Sequence, residues 1–337
     1  MKIILAPDSF KECLSAQEVA AVWADAAREH WPGAEIVEMP LADGGEGTLD
    51  VLAAAMGADI CQVSVHDPLG RSVQASYGVA GETAIIEVAQ ACGLQLLQSS
   101  DRNPLIASSR GVGELLMAAY GEGCRHFLVG LGGSAICDGG AGMMEVPGIK
   151  NLTEITIELL CDVNAPFVGP KGAARVFAPQ KGASPEDVEV LEERMLKLAA
   201  RMLNETGVDV TNLPGAGAAG GLGGAFMAYL GAKRISGIQK VLDLYRFSEV
   251  VEGACLVITG EGKSDAQTLQ GKVPLGVLQN AKGTPVALLS GKIENSPELL
   301  RAGFQKVLEV SPRSLSVSEA LKPEVARALL REAVLTL

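Results

Sequence analysis

The most informative segment of the sequence is Ala254-Cys255-Leu256-Val257-Ile258-Thr259-Gly260-Glu261-Gly262-Lys263-Ser264-Asp265, which runs on to Gly271-Lys272. Its first part, 254–258, is a short apolar run that predicts a buried parallel strand. The glycines, carboxylates and lysines that follow predict a charged loop at the end of this strand. Open α/β sheets place ligand sites at such loops, where carboxylates can hold a hard cation and lysines can meet phosphate. An ordinary turn with solvated charges is the alternative interpretation.

The overall charge limits the ligands that the chain can attract. The chain has 337 residues and a formal net charge of −12. An acidic chain is a poor surface for nucleic acid, so no nucleic-acid partner is expected. Any anionic substrate must be bound by local cations, because the overall field repels it.

The cysteines and the apolar runs bear on where the protein resides. Seven cysteines show no paired or metal-like spacing, which is typical of small core residues in a reduced cytosol. The apolar run at 3–6 is too short for a signal peptide, and nowhere do ~20 consecutive apolar residues occur. We therefore expect a cytoplasmic protein with no membrane partner. The sequence leaves open whether the chain forms a homo-oligomer.

Two more glycine-rich loops follow predicted strands. The run 130–142 follows a buried strand at 126–129, and Asp43 lies in a glycine-rich acidic loop at 42–48 that leads into a helix. The first loop matches neither the Gly-Lys-Ser/Thr phosphate loop nor a clean dinucleotide fingerprint. Its backbone amides could still close on phosphate, with Ser134 and Asp138 as polar groups. Plain structural turns are the alternative for both loops.

The order of predicted elements indicates two α/β domains. A capping box at Ser15 begins a helix, and Ser184 with Pro185 begins another that runs to about 204. Both chain ends show β-α-β texture, whereas two strands at 61–66 and 72–79 alternate like an antiparallel pair. We therefore expect a parallel three-layer domain from 1–60 plus 236–337, with a second α/β domain, 61–235, inserted into it. The active site is expected in a cleft that collects the loops 8–11, 43–47, 130–142 and 259–272.

Seven segments in order along the chain resemble the bacterial type I glycerate kinases. They are Ala6-Pro7-Asp8-Ser9-Phe10-Lys11, Ala42-Asp43-Gly44-Gly45-Glu46-Gly47-Thr48, Gly130-Leu131-Gly132-Gly133-Ser134, Cys161-Asp162-Val163, Pro179-Gln180-Lys181-Gly182-Ala183, Gly215-Ala216-Gly217-Ala218-Ala219-Gly220-Gly221, and Ile258-Thr259-Gly260-Glu261-Gly262 with Gln267-Thr268 and Gly271-Lys272. The resemblance implies an enzyme that phosphorylates D-glycerate with ATP and Mg²⁺ to 2-phosphoglycerate, and phosphorylation at O3 is the alternative.

Phosphoryl transfer requires cationic groups, a metal site and a means of accepting the hydroxyl proton. On the resemblance we assign candidates to each role. Lys11 and Lys272 are candidates for phosphate or the glycerate carboxylate. The remaining candidates are Gly130, Gly132, Gly133 and Ser134 for the phosphate cradle, Asp162, Glu261 and Asp265 for Mg²⁺, and Asp43 or Asp162 for the substrate hydroxyl.

The sequence departs from the family pattern at three places. Cys137 stands where the family usually has Asn, and Asp162-Val163-Asn164-Ala165-Pro166 lacks one acidic position of the family's Asp-Val-Asp-Asn-Pro. The run 144–157 is much shorter than in the family, through either a true deletion or residues missing from the sequence. These departures keep open a non-catalytic sugar-acid sensor on the same fold. A nucleotide-dependent oxidoreductase is disfavoured, because no strand–GxGxxG–helix fingerprint is present.

Overall fold

The structure is a computed structural model that describes residues 1–337. The strands are β1 (Lys2–Pro7), β2 (Glu35–Glu38), β3 (Asp59–His66), β4 (Ser72–Ala80), β5 (Thr83–Glu87), β6 (His126–Gly130), β7 (Thr156–Leu160), β8 (Lys233–Ile235), β9 (Leu256–Ser264), β10 (Val286–Ile293) and β11 (Lys306–Glu309). The α-helices are α1 (Ala16–His30), α2 (Thr48–Met56), α3 (Val88–Cys92), α4 (Arg110–Gly121), α5 (Ala141–Met144), α6 (Ala173–Phe177), α7 (Pro185–Thr206), α8 (Leu222–Leu230), α9 (Gly237–Leu244), α10 (Phe247–Val250), α11 (Val273–Asn280), α12 (Ser296–Ala302), α13 (Val317–Ala320) and α14 (Pro323–Leu335). No helix combines the length and the apolar character that crossing a bilayer requires.

The chain forms two compact units. The first contains Met1–Asp43 and Ile238–Leu337, and the second contains Gly44–Gly237. The segment 44–60 was expected in the first domain, but the structure groups it with the second. The physical reason is that α2 packs against β4 and β5 of the second unit. The first unit is therefore built from both chain ends, and the second is inserted between them.

The sheet of the first unit has the strand order β11-β10-β9-β1-β2, and every neighbouring pair is parallel. From β1 the chain proceeds to β2 on one side, whereas β9, β10 and β11 extend the sheet on the other side. The order of strands thus reverses between β1 and β9. In open α/β sheets, ligands bind outside the carboxyl ends of the strands at such a switch point.

The segment that begins at Ala254 forms a longer strand than its sequence indicates. We expected the strand to end at Ile258, but β9 continues to Ser264 and pairs with β10 as far as Ser264↔Ile293. The glycines permit this pairing, since a Cβ on Gly260 would lie 1.8 Å from the Leu289 carbonyl oxygen. Glu261 is therefore a strand residue rather than a loop residue, and its side chain is held by a paired backbone.

Helices cover both faces of the first sheet. Ile3, Ile4 and Leu5 follow one another in β1 and all are buried, although successive strand residues point to opposite faces. On one face α1 and α14 pack together around Trp23 and Leu330, and α11 contacts β9 and β1. The predicted capping box of α1 is confirmed, with the Glu18 N–H donating to Ser15 Oγ. The prediction of a parallel α/β layer structure is confirmed here.

The second unit contains a mixed sheet of strand order β3-β4-β5-β6-β7-β8. β3, β4 and β5 pair antiparallel, and β5 to β8 pair parallel. The predicted antiparallel strands are thus confirmed, as is the long helix α7, which Ser184 caps with Pro185 in its first turn. The short run 144–157 still closes the crossover from β6 to β7, with Val146 and Ile149 buried in the core.

Glu87, the last residue of β5, is a buried carboxyl whose side chain reaches the N-terminus of α2. The side chain of Glu87 is about 1% exposed and accepts a hydrogen bond of 3.1 Å from the Leu49 N–H. This N–H is one of the donors that a helix leaves unpaired at its N-terminus. Burial raises the pKa of Glu87 to about 7, against an ordinary value of 4.5. The group therefore titrates near neutral pH in the folded chain.

Glu87 predicts a pH-dependent stability. Between pH 4.5 and about 7 the folded chain binds more protons at Glu87 than the unfolded chain, so its contribution falls as pH rises through this window. The side-chain amide of a Glu87→Gln variant does not titrate. We expect the free energy of unfolding of this variant, relative to the unchanged chain, to rise by about 1–3 kcal/mol from pH 5 to pH 8. Urea unfolding at both pH values measures it.

Glu82→Gln is the matched control, because Glu82 is exposed. Its difference from the unchanged chain should not vary with pH in this way. A flat difference for Glu87→Gln would contradict the assignment of a titrating buried carboxyl.

Candidate active site

A cavity of about 790 Å³ lies in the first unit at the carboxyl edge of its sheet. The loop after β1 contributes Ser9 and Lys11, and the end of β9 contributes Glu261. Lys272 precedes α11, and Asp43 ends the first segment of this unit. The cavity is thus at the switch point of the sheet, and it brings together four of the predicted site residues.

Glu261 is the centre of a buried polar network in this cavity. Its side chain is about 4% exposed. Oε1 accepts hydrogen bonds from Ser264 Oγ at 3.0 Å and Thr268 Oγ1 at 2.6 Å, and Oε2 accepts one from Lys272 Nζ at 2.9 Å. Ser264 and Ser290 share a further hydrogen bond of 2.6 Å across the two strands. A paired and hydrogen-bonded carboxylate of this kind holds the ammonium of Lys272 in one position.

Asp8 is the first residue after β1 and is almost fully buried. Its backbone N–H donates to the Gly260 carbonyl at 2.9 Å, and its Oδ1 accepts from the Ser9 N–H at 2.7 Å. Burial, and then the negative charge of Asp43, raise the pKa of Asp8 well above its usual value. Ser9 Oγ is buried and has no hydrogen-bond partner. Asp8 and Ser9 are therefore polar groups that a ligand could satisfy.

Cations outnumber carboxylates in the lining of the cavity. The cationic side chains are Lys11, Lys263, Lys272, Lys292 and Arg313, and the carboxylates are Asp43, Glu261 and Glu309. This local excess of positive charge contrasts with the net charge of −12 for the whole chain. Low-dielectric walls strengthen a local field, so the cavity can attract an anion that the rest of the surface repels.

Asp265 lies near this network but does not line the cavity. Its Oδ1 accepts from the Gln267 N–H at 2.8 Å, and Lys263 lies 3.5 Å from its Oδ2. Partial burial acts to raise the pKa of Asp265, but the Gln267 hydrogen bond and the charge of Lys272 outweigh it and lower the pKa. Asp265 is thus ionised and shapes the turn before Lys272.

The remaining predicted residues belong to the second unit. Gly130, Gly132, Gly133 and Ser134 follow β6, and Asp162 follows β7. The Gly132 N–H donates to the Gly44 carbonyl at 2.9 Å, and a Cβ on Gly132 would lie 2.4 Å from Gly45 Cα. Close backbone packing thus accounts for Gly132 without a ligand, and the phosphate cradle stays a prediction. One oxygen of Asp162 accepts from the Gly237 N–H at 3.1 Å.

Lys181 holds the same glycine-rich loop from inside the second unit. Its side chain is about 2% exposed, and Nζ donates to Ser134 Oγ at 3.0 Å and to the Ile136 carbonyl at 2.7 Å. Burial lowers the pKa of Lys181 to about 8. Asp138 accepts from the N–H groups of Ser109 and Gly142. The polar groups of this loop therefore satisfy one another.

Two residues of the site were not assigned from the sequence. Asp8 and Ser9 belong to the same motif as Lys11, but the motif predicts a role only for Lys11. The signal that could have identified Asp8 is its position, directly after a buried strand at the carboxyl edge of a parallel sheet. No group of three or more His, Cys, Asp or Glu side chains is arranged to hold a metal ion. Mg²⁺ does not require one, since it commonly binds one or two carboxylates together with substrate phosphates.

A parallel sheet with an anion-attracting cavity at its switch point defines this chain as an α/β enzyme for small charged substrates. The model of the glycerate kinase family matches residues 3–154 and 147–336. The chain belongs to the glycerate kinase family, which is a family of phosphotransferases.

Relatives with assigned names support the same family. A glycerate kinase of Halalkalibacterium halodurans is 39% identical over 354 residues, with 95% of this chain and 93% of that protein covered. The glycerate 2-kinase of Escherichia coli is 39% identical over 356 residues, with 96% and 93% covered. A crystal structure of a Salmonella typhimurium LT2 protein assigned as glycerate kinase 2 superposes with a TM-score of 0.81 at 39% identity, covering 100% of this chain and 98% of that one.

The comparisons also bear on the short run 144–157. The alignment with the Escherichia coli protein spans 356 positions, whereas this chain has 337 residues. That relative therefore has residues that this chain lacks. The two matches of the family model meet at 147–154, which is where the sequence indicated a shortened segment.

The packing of Gly132 predicts a stability effect that does not depend on a ligand. Gly132→Ala would place a Cβ 2.4 Å from Gly45 Cα. We expect the free energy of unfolding to fall by about 1–3 kcal/mol, as in other overpacked sites. Gly121→Ala is the control, because nothing lies within 4 Å of its Cβ position. It should be neutral or slightly stabilising; equal urea midpoints for both variants would contradict the packing role.

Proposed function

We propose that this chain catalyses ATP-dependent phosphorylation of D-glycerate at O2, giving 2-phosphoglycerate. The observation that carries the proposal is the cationic end of the cavity, where the buried Glu261 network holds Lys272 at the switch point. The family supports kinase activity on glycerate. The choice of O2 is supported by the name of the Escherichia coli relative, a glycerate 2-kinase.

The cations have distinct tasks in this proposal. Lys272 is pre-positioned by Glu261, so it can stabilise charge on the transferring phosphoryl group without reorganising. Lys11 is exposed in the loop after β1, lines the cavity, and in this proposal binds the glycerate carboxylate or a phosphate. Because the chain as a whole is acidic, these local cations supply the attraction that an anionic substrate needs.

Asp8 and Ser9 fit Mg²⁺. A buried carboxyl whose pKa is raised by burial and by the charge of Asp43 is stabilised by a nearby hard cation. The unpartnered Ser9 hydroxyl offers a second oxygen donor. The oxygens of Glu261 already accept three hydrogen bonds. We therefore assign Mg²⁺ to Asp8 and Ser9 instead of Glu261 and Asp265; when bound, it neutralises charge on the donor phosphates.

Asp43 accepts the proton of the substrate hydroxyl in this proposal. It lines the same cavity as Lys11 and Lys272, and its charge acts on Asp8. Asp265 acts indirectly, through the turn that carries Lys272. Asp162 and the loop with Gly130, Gly132, Gly133 and Ser134 remain candidates from the second unit for orienting substrate. A cytoplasmic location is part of the proposal, since all seven cysteines are free.

The function is tested by coupling ADP release to D-glycerate. We expect ADP formation that depends on both D-glycerate and Mg²⁺, and NMR of the product distinguishes O2 from O3 phosphorylation. A chain that binds glycerate without releasing ADP would be the non-catalytic sensor, and the kinase proposal would then be wrong.

The carboxylates make a separate prediction. Asp43→Asn and Asp8→Asn should each lower kcat by about 10²-fold or more. Asp8→Asn should also raise the Mg²⁺ concentration for half-maximal activity. Its stability near pH 8 should be unchanged or higher, because a neutral amide replaces a buried, charge-crowded carboxyl.

Asp25→Asn is the control, because this side chain is 81% exposed on α1. It should leave kcat and the Mg²⁺ dependence unchanged. Near-unchanged turnover in both Asp43→Asn and Asp8→Asn would exclude the proposed roles.

A further inference from the structure

The cavity of the first unit is lined by two kinds of side chain. The strand ends and the loops after them contribute most of the cations and carboxylates. The chain after β11, with α13 and α14, contributes apolar side chains that we call the apolar end, namely Val310, Leu315, Val317, Leu321 and Leu330, with Arg313 as the one cation among them. A three-carbon acid is too small to fill about 790 Å³, and it has no apolar surface to match the apolar end.

Backbone hydrogen bonds and a helix cap fix the chain segment that forms the apolar end. The Val310 N–H donates to the Ser290 carbonyl at 2.8 Å, and the Ser311 N–H donates to the Gly291 carbonyl at 3.1 Å. The chain after β11 is thus tied to the extension of β10. Ser316 then caps α13 through a capping box. Val317 is 69% exposed although it lines the cavity, so its apolar side chain has much surface left to cover.

We propose that the apolar end binds the adenine ring of the phosphate donor, with the phosphates directed to Lys272 and Lys11. This inference rests on the proposed function, since it concerns the nucleotide of that reaction. An adenine nucleotide combines a flat, largely apolar ring with a polyanion, and the cavity offers the same two surfaces in one continuous space. The volume lies within the range of about 300–1,000 Å³ that is usual for small-molecule sites.

The assignment moves the nucleotide from the glycine-rich loop to the first unit. The amide of Gly132 is already used by the Gly44 carbonyl, and Ser134 Oγ accepts from Lys181. The cavity, by contrast, has an unpartnered Ser9 hydroxyl at the end near Lys11. The phosphates would therefore lie beside the group proposed to hold Mg²⁺, while the ring covers exposed apolar surface.

The test is the affinity of the full chain for adenosine and for MgADP, measured by calorimetry without glycerate. Val317→Asp puts a carboxylate beside the ring, and Leu321→Asp repeats the change from the neighbouring turn. We expect each to raise the Kd of both ligands about tenfold or more, because a charge must be desolvated against an apolar ring. Val190→Asp is the control, since Val190 is 43% exposed on α7.

Adenosine has no phosphates, so comparing it with MgADP separates contacts to the ring from contacts to the phosphates. A loss of affinity for MgADP alone would reflect repulsion of phosphate and would overturn the placement of the ring. Unchanged Kd values in Val317→Asp, a variant whose site is exposed and tolerant of substitution, would overturn it as well.

Photolabelling gives an independent readout. With 8-azidoadenosine diphosphate, we expect the label on the peptide that contains residues 310–321. A label on residues 130–142 would place the base at the glycine-rich loop and overturn the inference. The two proposals can fail separately. Glycerate-dependent ADP release with the label at 130–142 would contradict only the placement of the adenine ring. Label at 310–321 without glycerate-dependent ADP release sinks only the proposed reaction.

Discussion

The parallel pairing of β1 with β9 is the constraint on which the first unit depends. It joins the two ends of the chain, and the Thr259 hydroxyl donates to the Ala6 carbonyl across 253 residues of sequence at 2.8 Å. The pairing continues on the other side of β9 only because Gly260 has no Cβ to meet the Leu289 carbonyl. The switch point, and with it the site, exists because two distant segments share one edge of a sheet.

The cavity has a local excess of positive charge, although the chain as a whole is acidic. Glu261 is buried, yet it is stabilised by Lys272 and two hydroxyls, so its charge is compensated within the network. Asp8 is buried without a cation in contact, and burial together with the negative charge of Asp43 raises its pKa. The same edge of the sheet therefore carries one carboxylate whose task is structural, Glu261 in the cavity lining, and another, Asp8 next to the lining residue Ser9, whose environment suits a cation. Residue type alone does not distinguish the two.

Several features were predictable because they depend on local chemistry. The capping box of Ser15 and the N-cap of Ser184 were predictable from the sequence, as were the antiparallel pair β3 and β4 and the buried strands. These features follow from side-chain periodicity and from hydrogen bonds within a few residues. The extent of β9 was not predictable in this way, because glycine and charge are typical of loops. The strand conformation of its second half depends on pairing with β10, whose residues lie about thirty positions further along the chain.

The α/β class, the family and the short list of charged residues near strand ends all follow from the amino-acid sequence alone. Seven ordered motifs and the alternation of apolar runs carry that information, because both are patterns of residues close together in the sequence. The three-dimensional packing was needed to show which members of the list share a cavity, that Glu261 holds Lys272, and that Gly132 packs on Gly45. These outcomes depend on distances between segments far apart in sequence. The role of a carboxylate such as Glu261 depends on the groups around it, and these are brought together only when β9 lies between β1 and β10.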